Sequence, residues 1–109
     1  LPGGSANAAL MLATVGLAAA YGPKGVRVNG INPGATLTGR VQEGLAVESA
    51  MTGLPEAELR ARGEEKIPLG RYGDQAEVGR LGTFLLSPAA SYVTGAIVPV
   101  DGGMVRSLP

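Results

Sequence analysis

Apolar and small residues run without strand-like alternation through AALMLATVGLAAAYG, and the run is rich in Ala, Leu and Met. The pattern predicts a helix over residues 5–20 that closes at the YGPKG turn. Ala9, Ala13, Gly16 and Ala20 recur at i, i+4, i+7 and i+11 as a small-residue stripe, with Met11, Val15 and Ala18 on an adjacent apolar face. A helix apolar nearly all round is expected to be buried on two sides. The stretch is also shorter than a bilayer-spanning segment and is weakened by Gly, so a packed helix is expected and no membrane partner.

The period then changes. VRVNGIN, residues 26–32, carries the β-branched alternation of a strand, and PGATLTG after it reads as the loop leaving that strand. Residues 39–66 are more polar, with short helices expected over 40–50 and 55–62. Pro55 suits the first turn of the latter, and Glu56/Arg60 and Glu58/Arg62 are i, i+4 ion pairs. Asp74 with Glu77 forms a capping-box pattern ahead of Val78, Leu81, Leu85 and Leu86, and Pro88 stops that helix at Ser87. A last strand is expected over residues 96–100, followed by a Gly-rich end. Strands joined through helices imply a parallel pair and an α/β fold.

Composition narrows the partners. The 109 residues are 45% apolar, with nine basic and nine acidic side chains. The basic residues are dispersed, so no nucleic-acid partner is expected. Absence of Cys and His excludes disulfides and the usual zinc and copper sites, so no metal is expected. LPGG supplies no basic region ahead of the apolar run, so no targeting signal is expected and a cytoplasmic setting fits. The opening LPGGSANAAL lacks Met and reads like the interior of a longer chain.

GPKGVRVNGINPGATLT, then IPLGRYGDQAEVG, then FLLSPAASYVTGAIVPVDGG occur in one order that resembles the C-terminal part of a short-chain dehydrogenase/reductase. The resemblance covers essentially the whole chain. It implies the last two strands, with flanking helices, of a Rossmann-like doubly wound parallel sheet. All 109 residues would then belong to one such domain, with residues 39–66 as its variable substrate-covering excursion. Leu45, Met51 and Leu54 are candidates to line a pocket there. The resemblance further implies a small-molecule carbonyl or alcohol substrate and NAD or NADP as cofactor.

The family's PGxxxT loop matches Pro33, Gly34 and Thr38, with Ala35 and Thr36 between them. Loops at the carboxyl ends of parallel strands are where such sheets bind ligands. Gly34 permits close backbone approach and Thr38 offers a hydroxyl, while Thr36 falls where the family turns backbone groups toward the nicotinamide carboxamide. Asp101 and the glycines after it are expected to turn the chain rather than to react.

The family's catalytic YxxxK precedes an Ala-Ala-Leu stretch like Ala8-Ala9-Leu10, and that register puts Gly3 in the Tyr slot and Asn7 in the Lys slot. Residues four apart share a helix face, so in the family the Lys lowers the Tyr pKa and binds the nicotinamide ribose. Gly3 has no acid. Asn7 has no charge, although its amide still offers a donor and an acceptor to a ribose hydroxyl. Tyr21, Tyr72 and Tyr92 do not restore the pair, because none is followed at the fourth position by Lys. GGSAN lacks the final Gly of a hydrolase elbow, and no His is present to act as its base. No glycine fingerprint for a dinucleotide pyrophosphate follows a strand. Two readings follow: the C-terminal portion of an oxidoreductase that needs an upstream half, or a non-catalytic relative that senses a cofactor or assembles. A homo-oligomer through the first helix is expected in either case.

Overall fold

The computed structural model describes residues 2–105, with side-chain surroundings from Gly4 onward. Its elements are helix α1 (Pro2–Tyr21), strand β1 (Gly30–Pro33), helices α2 (Gly39–Thr52), α3 (Glu56–Glu65) and α4 (Gln75–Leu86), and strand β2 (Ile97–Val100). Short 3-10 turns lie at Gly22–Lys24 and Pro88–Ala90. The Gly30 N–H donates to the Ala96 carbonyl (2.8 Å) and the Gly34 N–H to that of Val100 (2.9 Å). That constant offset makes β1 and β2 a parallel pair, and the helical connection between them is that of an α/β unit.

Two compact units are present. The first consists of the chain up to Asn32 together with Arg80–Val98, and the second of Pro33–Gly79 together with the residues from Pro99 on.

In the first unit α1 lays Thr14 and Ala18 against the sheet. A Cβ on Gly30 would stand 2.8 Å from Ile97 Cδ1 and 3.8 Å from Thr14 Oγ1, and one on Gly95 would stand 3.4 Å from Ala18 Cβ. Glycine at position 30 leaves room for the end of the Ile97 side chain, while toward the helix a Cβ at either place would make only ordinary contact. The opposite face of α1 is bare: Ala9, Ala13, Gly16 and Ala20 are all exposed, as are Leu10 (67%) and Leu12 (76%). Burial on two sides is therefore not found among the described residues, because a single sheet face covers only one side of a helix. Val15 is exposed too, so only part of the predicted second face is covered. At 20 residues α1 is also longer than the pattern suggested, and residues 4–24 reach the length and mean hydropathy (1.3) of a segment able to cross a membrane.

The expected strand over 26–32 is shortened to β1; ahead of it one backbone bond, from the Gly95 N–H to the Val28 carbonyl (2.7 Å), is joined by side-chain bonds. The Arg27 guanidinium donates to the carbonyls of Leu85 (2.7 Å), Ser87 (3.2 Å) and Val93 (3.3 Å). Asn29 donates from Nδ2 to the Val93 carbonyl (2.9 Å) and accepts at Oδ1 from the Ala96 N–H (3.1 Å). Arg27 thus satisfies carbonyls at the carboxyl end of α4 that the helix leaves open, and Asn29 ties the approach to β2 onto the approach to β1.

In the second unit the Thr38 hydroxyl caps α2 by accepting from the Val41 N–H (3.3 Å), and Gly53, at φ 75°, ends the helix. Pro55 is the residue before α3 rather than inside its first turn. Arg62 pairs with Glu58 as expected (3.0 Å), but Arg60 turns forward to Glu64 (3.0 Å), not back to Glu56. Glu N-terminal to Arg is the better orientation for an isolated pair, yet such exposed pairs differ by only tenths of a kcal/mol and either partner serves. The capping box forms reciprocally: the Ala76 N–H donates to Asp74 Oδ1 (2.8 Å) and the Asp74 N–H to Glu77 Oε2 (2.7 Å).

Arg27→Met keeps the length of the side chain and removes every donor. It is expected to lower stability by about 1–3 kcal/mol, read as a shift of the urea midpoint without a change in slope. An unchanged midpoint would show that water serves the three carbonyls equally well.

Candidate functional site

β1 delivers residues 33–38 to its own carboxyl end, and backbone pairing then holds this loop from two sides. The Gly73 N–H donates to the Ala35 carbonyl (2.9 Å), and the Gly73 carbonyl accepts from the Leu37 N–H (2.8 Å), which makes Thr36 and Gly73 an isolated parallel bridge. The Thr36 hydroxyl donates to the Gly34 carbonyl (3.2 Å). Thr38 accepts the α2 capping bond at its hydroxyl and so keeps the hydroxyl proton to donate elsewhere. Pro33, Gly34, Ala35, Thr36 and Thr38 therefore form one fixed turn in the second unit. The pairing partner Gly73 carries no signal in the sequence, since a Gly between Tyr and Asp reads only as a turn.

Gly34 has a local reason to be glycine. A Cβ built on it would overlap the Cβ of Asp101 and stand 2.7 Å from the Asp101 Cα. Its φ is not positive, so close packing and not backbone conformation excludes a side chain. Asp101 in turn accepts from the Gly103 N–H (2.9 Å) and the Val105 N–H (2.9 Å), and Gly102 and Gly103 have φ of 64° and 92°. The amides of Val105 and Gly103 hold the Asp101 carboxyl below the usual carboxylate range. The turning role read from the sequence for Asp101-Gly102-Gly103 is what the geometry shows. A cavity of about 110 Å³ lies in this unit, lined by Ala35, Leu69, Arg71, Gly73, Glu77 and Asp101 among others. Arg71 is not open to a ligand there, because it is bidentate on Glu77 (2.7 and 3.0 Å).

Also in the second unit, Leu45 lines a cavity of about 410 Å³ with Leu37, Gln42, Glu56, Ala57 and Arg60. Met51 is 82% exposed and Leu54 half-buried, and neither lines that cavity.

Asn7 belongs to the first unit. It sits one turn beyond Gly3 on α1, exposed, and lines a cavity of about 220 Å³ with Leu10, Met11, Thr14, Asn29 and Asn32 among others. The helix runs through position 3, whose surroundings lie outside the described residues. Sequence reasoning does not single out Asn32, although its place immediately before Pro33 is a signal open to it.

Residues 3–105 match the family model described as enoyl-(acyl carrier protein) reductase. The chain is 39% identical over 104 residues to a cyclohexanol dehydrogenase of Rhodococcus sp. (strain TK6), covering 95% of this chain and 35% of that protein. It is 36% identical over 100 residues to an inactive 2-(S)-hydroxypropyl-CoM dehydrogenase 2 of Xanthobacter autotrophicus, covering 92% and 41%. Among solved structures, an NADPH-bound short chain oxidoreductase from Pseudomonas aeruginosa PAO1 containing an atypical catalytic center superposes with a TM-score of 0.78 at 36% identity, covering 95% of this chain and 38% of that one. The chain thus spans about 35% of the length of the first-ranking curated relatives it matches.

The Asp101 carboxyl supplies a pH test. A carboxyl held low in the folded state contributes stability that is fully present above the unfolded pKa of about 3.9 and is lost as pH falls through the lower folded value. The stability difference between the wild type and Asp101→Asn is expected to be full above about pH 4 and to close below it, as measured by denaturant midpoints across pH. A difference independent of pH would remove the carboxylate from the account.

Proposed function

This chain belongs to the short-chain dehydrogenase/reductase family, and from that premise we propose that it is the C-terminal portion of an NAD(P)-dependent oxidoreductase acting on a small carbonyl or alcohol substrate. The supporting observation is the turn 33–38, clamped to Gly73 and ending in a Thr38 hydroxyl with a proton to donate. It stands at the carboxyl end of a parallel strand, where such sheets take their ligands. These residues fit the polar nicotinamide end of a cofactor. Pro33, Gly34, Ala35, Thr36 and Thr38 would hold that end; in the first unit, Asn7 keeps a donor and an acceptor suited to a ribose hydroxyl. The bound nicotinamide supplies hydride transfer, while the chain orients it and excludes water. The choice between NAD and NADP rests with the rest of the protein, as does the pyrophosphate-binding turn expected in an upstream half of the same fold.

A second reading is favoured by one specific observation: the register that puts Gly3 and Asn7 on one face of α1 leaves that face without a phenol or an ammonium. On this reading the protein is a non-catalytic relative that senses a cofactor or assembles. An inactive relative and a solved neighbour with an atypical center keep company with it. We favour the oxidoreductase, slow with ordinary carbonyl substrates, in the cytoplasm, and with its residues 39–66 covering the substrate.

The deciding experiment is steady-state NADH and NADPH oxidation by the full-length protein that carries these residues. Gly3→Tyr together with Asn7→Lys is expected to raise turnover by about 10²–10⁴-fold, because general acid–base groups contribute on that scale and the two act as a unit. Neither substitution alone suffices. Ordinary dehydrogenase rates in the unmodified protein would overturn the placement of Gly3 and Asn7, and binding of cofactor with no turnover in any variant would favour the sensing role.

The bare face of α1 is proposed as the contact between copies of the protein. Gly16 has nothing within 4 Å of a built Cβ, so Gly16→Leu is free of clashes inside the chain itself. It is expected to weaken self-association by about 1–3 kcal/mol through overpacking between copies, seen as a lower mass by light scattering at dilute concentration. An unchanged mass counts against the helix as the contact.

A further inference from the structure

Two separate demands of the fold meet at residues 29 and 30. A Cβ on Gly30 would stand 2.8 Å from Ile97 Cδ1, so packing calls for glycine there. Position 29 calls for an amide, because it serves a donor and an acceptor at once: Nδ2 donates to the Val93 carbonyl (2.9 Å) and Oδ1 accepts from the Ala96 N–H (3.1 Å). An ionised carboxylate could do only the second. The result is an Asn-Gly pair, in which no Cβ shields the backbone nitrogen that follows the side-chain amide. The other two Asn of the chain differ. Asn32 precedes Pro33, which has no N–H, and Asn7 precedes Ala8, whose Cβ crowds the nitrogen.

The clamp that requires the amide also keeps it from reacting. The Gly30 N–H donates to the Ala96 carbonyl (2.8 Å), so both ends of the Asn29 amide and the Gly30 nitrogen are held by one segment, residues 93–96. The same segment is tied to Val28, whose N–H donates to the Thr94 hydroxyl (3.1 Å) and whose carbonyl accepts from the Gly95 N–H (2.7 Å). While these bonds stand, the Gly30 proton is engaged and the Asn29 Cγ is turned to other partners.

We infer that Asn29 is a deamidation site gated by the separation of residues 93–96 from residues 28–30. Once the segments part, the Gly30 nitrogen gives up its proton to base and attacks the Asn29 Cγ. A C–N bond forms, the Cγ–Nδ2 bond breaks, and Nδ2 takes up a proton and leaves as ammonia. Water then opens the five-membered imide at either carbonyl, which leaves Asp or an isoaspartyl link at position 29, with no change of oxidation state. Neither product restores the clamp. The carboxylate has no proton for the Val93 carbonyl, and the isoaspartyl link lengthens the backbone by a carbon, which puts Gly30 out of step with Ala96. An opening of the strand pair is thereby made one-way.

The test follows the tryptic peptide from Val28 to Arg40 of the full-length protein by mass spectrometry during storage in mildly alkaline buffer, folded and in denaturing urea. The product peptide is heavier by the difference between a hydroxyl and an amino group, and its Asp and isoaspartyl forms separate by chromatography. Conversion is expected in urea, faster as pH rises because the backbone nitrogen must lose its proton. In the folded protein it is expected to be slower by about 10²-fold or more, because it waits on a local opening. Thr94→Val removes the hydroxyl that accepts from Val28 and alters neither reacting residue. It is expected to speed conversion of the folded protein about 5-fold, the scale of one net hydrogen bond, with the rate in urea unchanged. Converted protein returned from urea to buffer is expected to unfold at a lower urea midpoint than unconverted protein. No conversion in urea overturns the site, and equal rates in the folded and unfolded protein overturn the gate. A folded rate indifferent to Thr94→Val overturns the assignment of the gate to residues 93–96, and equal midpoints overturn its one-way character.

Discussion

The register of β1 on β2 is the constraint on which the other features depend. Its two ends, Gly30 on Ala96 and Gly34 on Val100, keep one offset along the pair. Both donors are glycines, and both stand where a Cβ would collide: against Ile97 in the first unit and against Asp101 in the second. A slip of one residue would send each side chain to the opposite face of the sheet and bring a Cβ into one of these contacts. The close fit at Gly34 sets the turn of residues 33–38 beside the Asp101 turn. The close fit at Gly30 is to Ile97, and Thr14 of α1 packs over the same place at ordinary contact distance.

Features set by neighbours in sequence are legible in the sequence itself. The capping box at Asp74 and Glu77, the halt at Pro88 and the two short helices within residues 39–66 each follow from residues within a turn or two of one another, and the parallel pair follows from the order of strand, helices and strand. Features set at long range are not. Arg27 looks like an exposed charge in VRVN, yet its guanidinium gathers distant carbonyls, at sequence separations of 58, 60 and 66. Those bonds, with the backbone bond from Gly95 to Val28, hold the stretch ahead of Gly30, where β1 begins. In the same way the turn at Pro33-Gly34 is evident from its residue types, but its partner Gly73 is not, because a backbone pairing leaves no mark in side-chain chemistry.

Helix α1 shows where pattern and burial part company. Its composition is that of a helix covered on both sides, and one side alone is covered among the described residues. Apolar periodicity reports how much surface a helix is built to bury and on which faces. It does not report what covers them. The small-residue stripe and Leu10 and Leu12 therefore remain surface to be accounted for by other parts of the protein or other copies of it.

The chemistry of the helix face that carries positions 3 and 7 follows from charge. Position 7 is exposed, so an ammonium there would stay solvated and burial does not select against it. With glycine at position 3 there is no phenol whose pKa such an ammonium would lower, so the cation has no acid–base partner on this face. Asn7 keeps hydrogen-bonding capacity without the charge, so the two departures from YxxxK are coherent with each other: once the phenol is gone, the reason for a cation at position 7 goes with it.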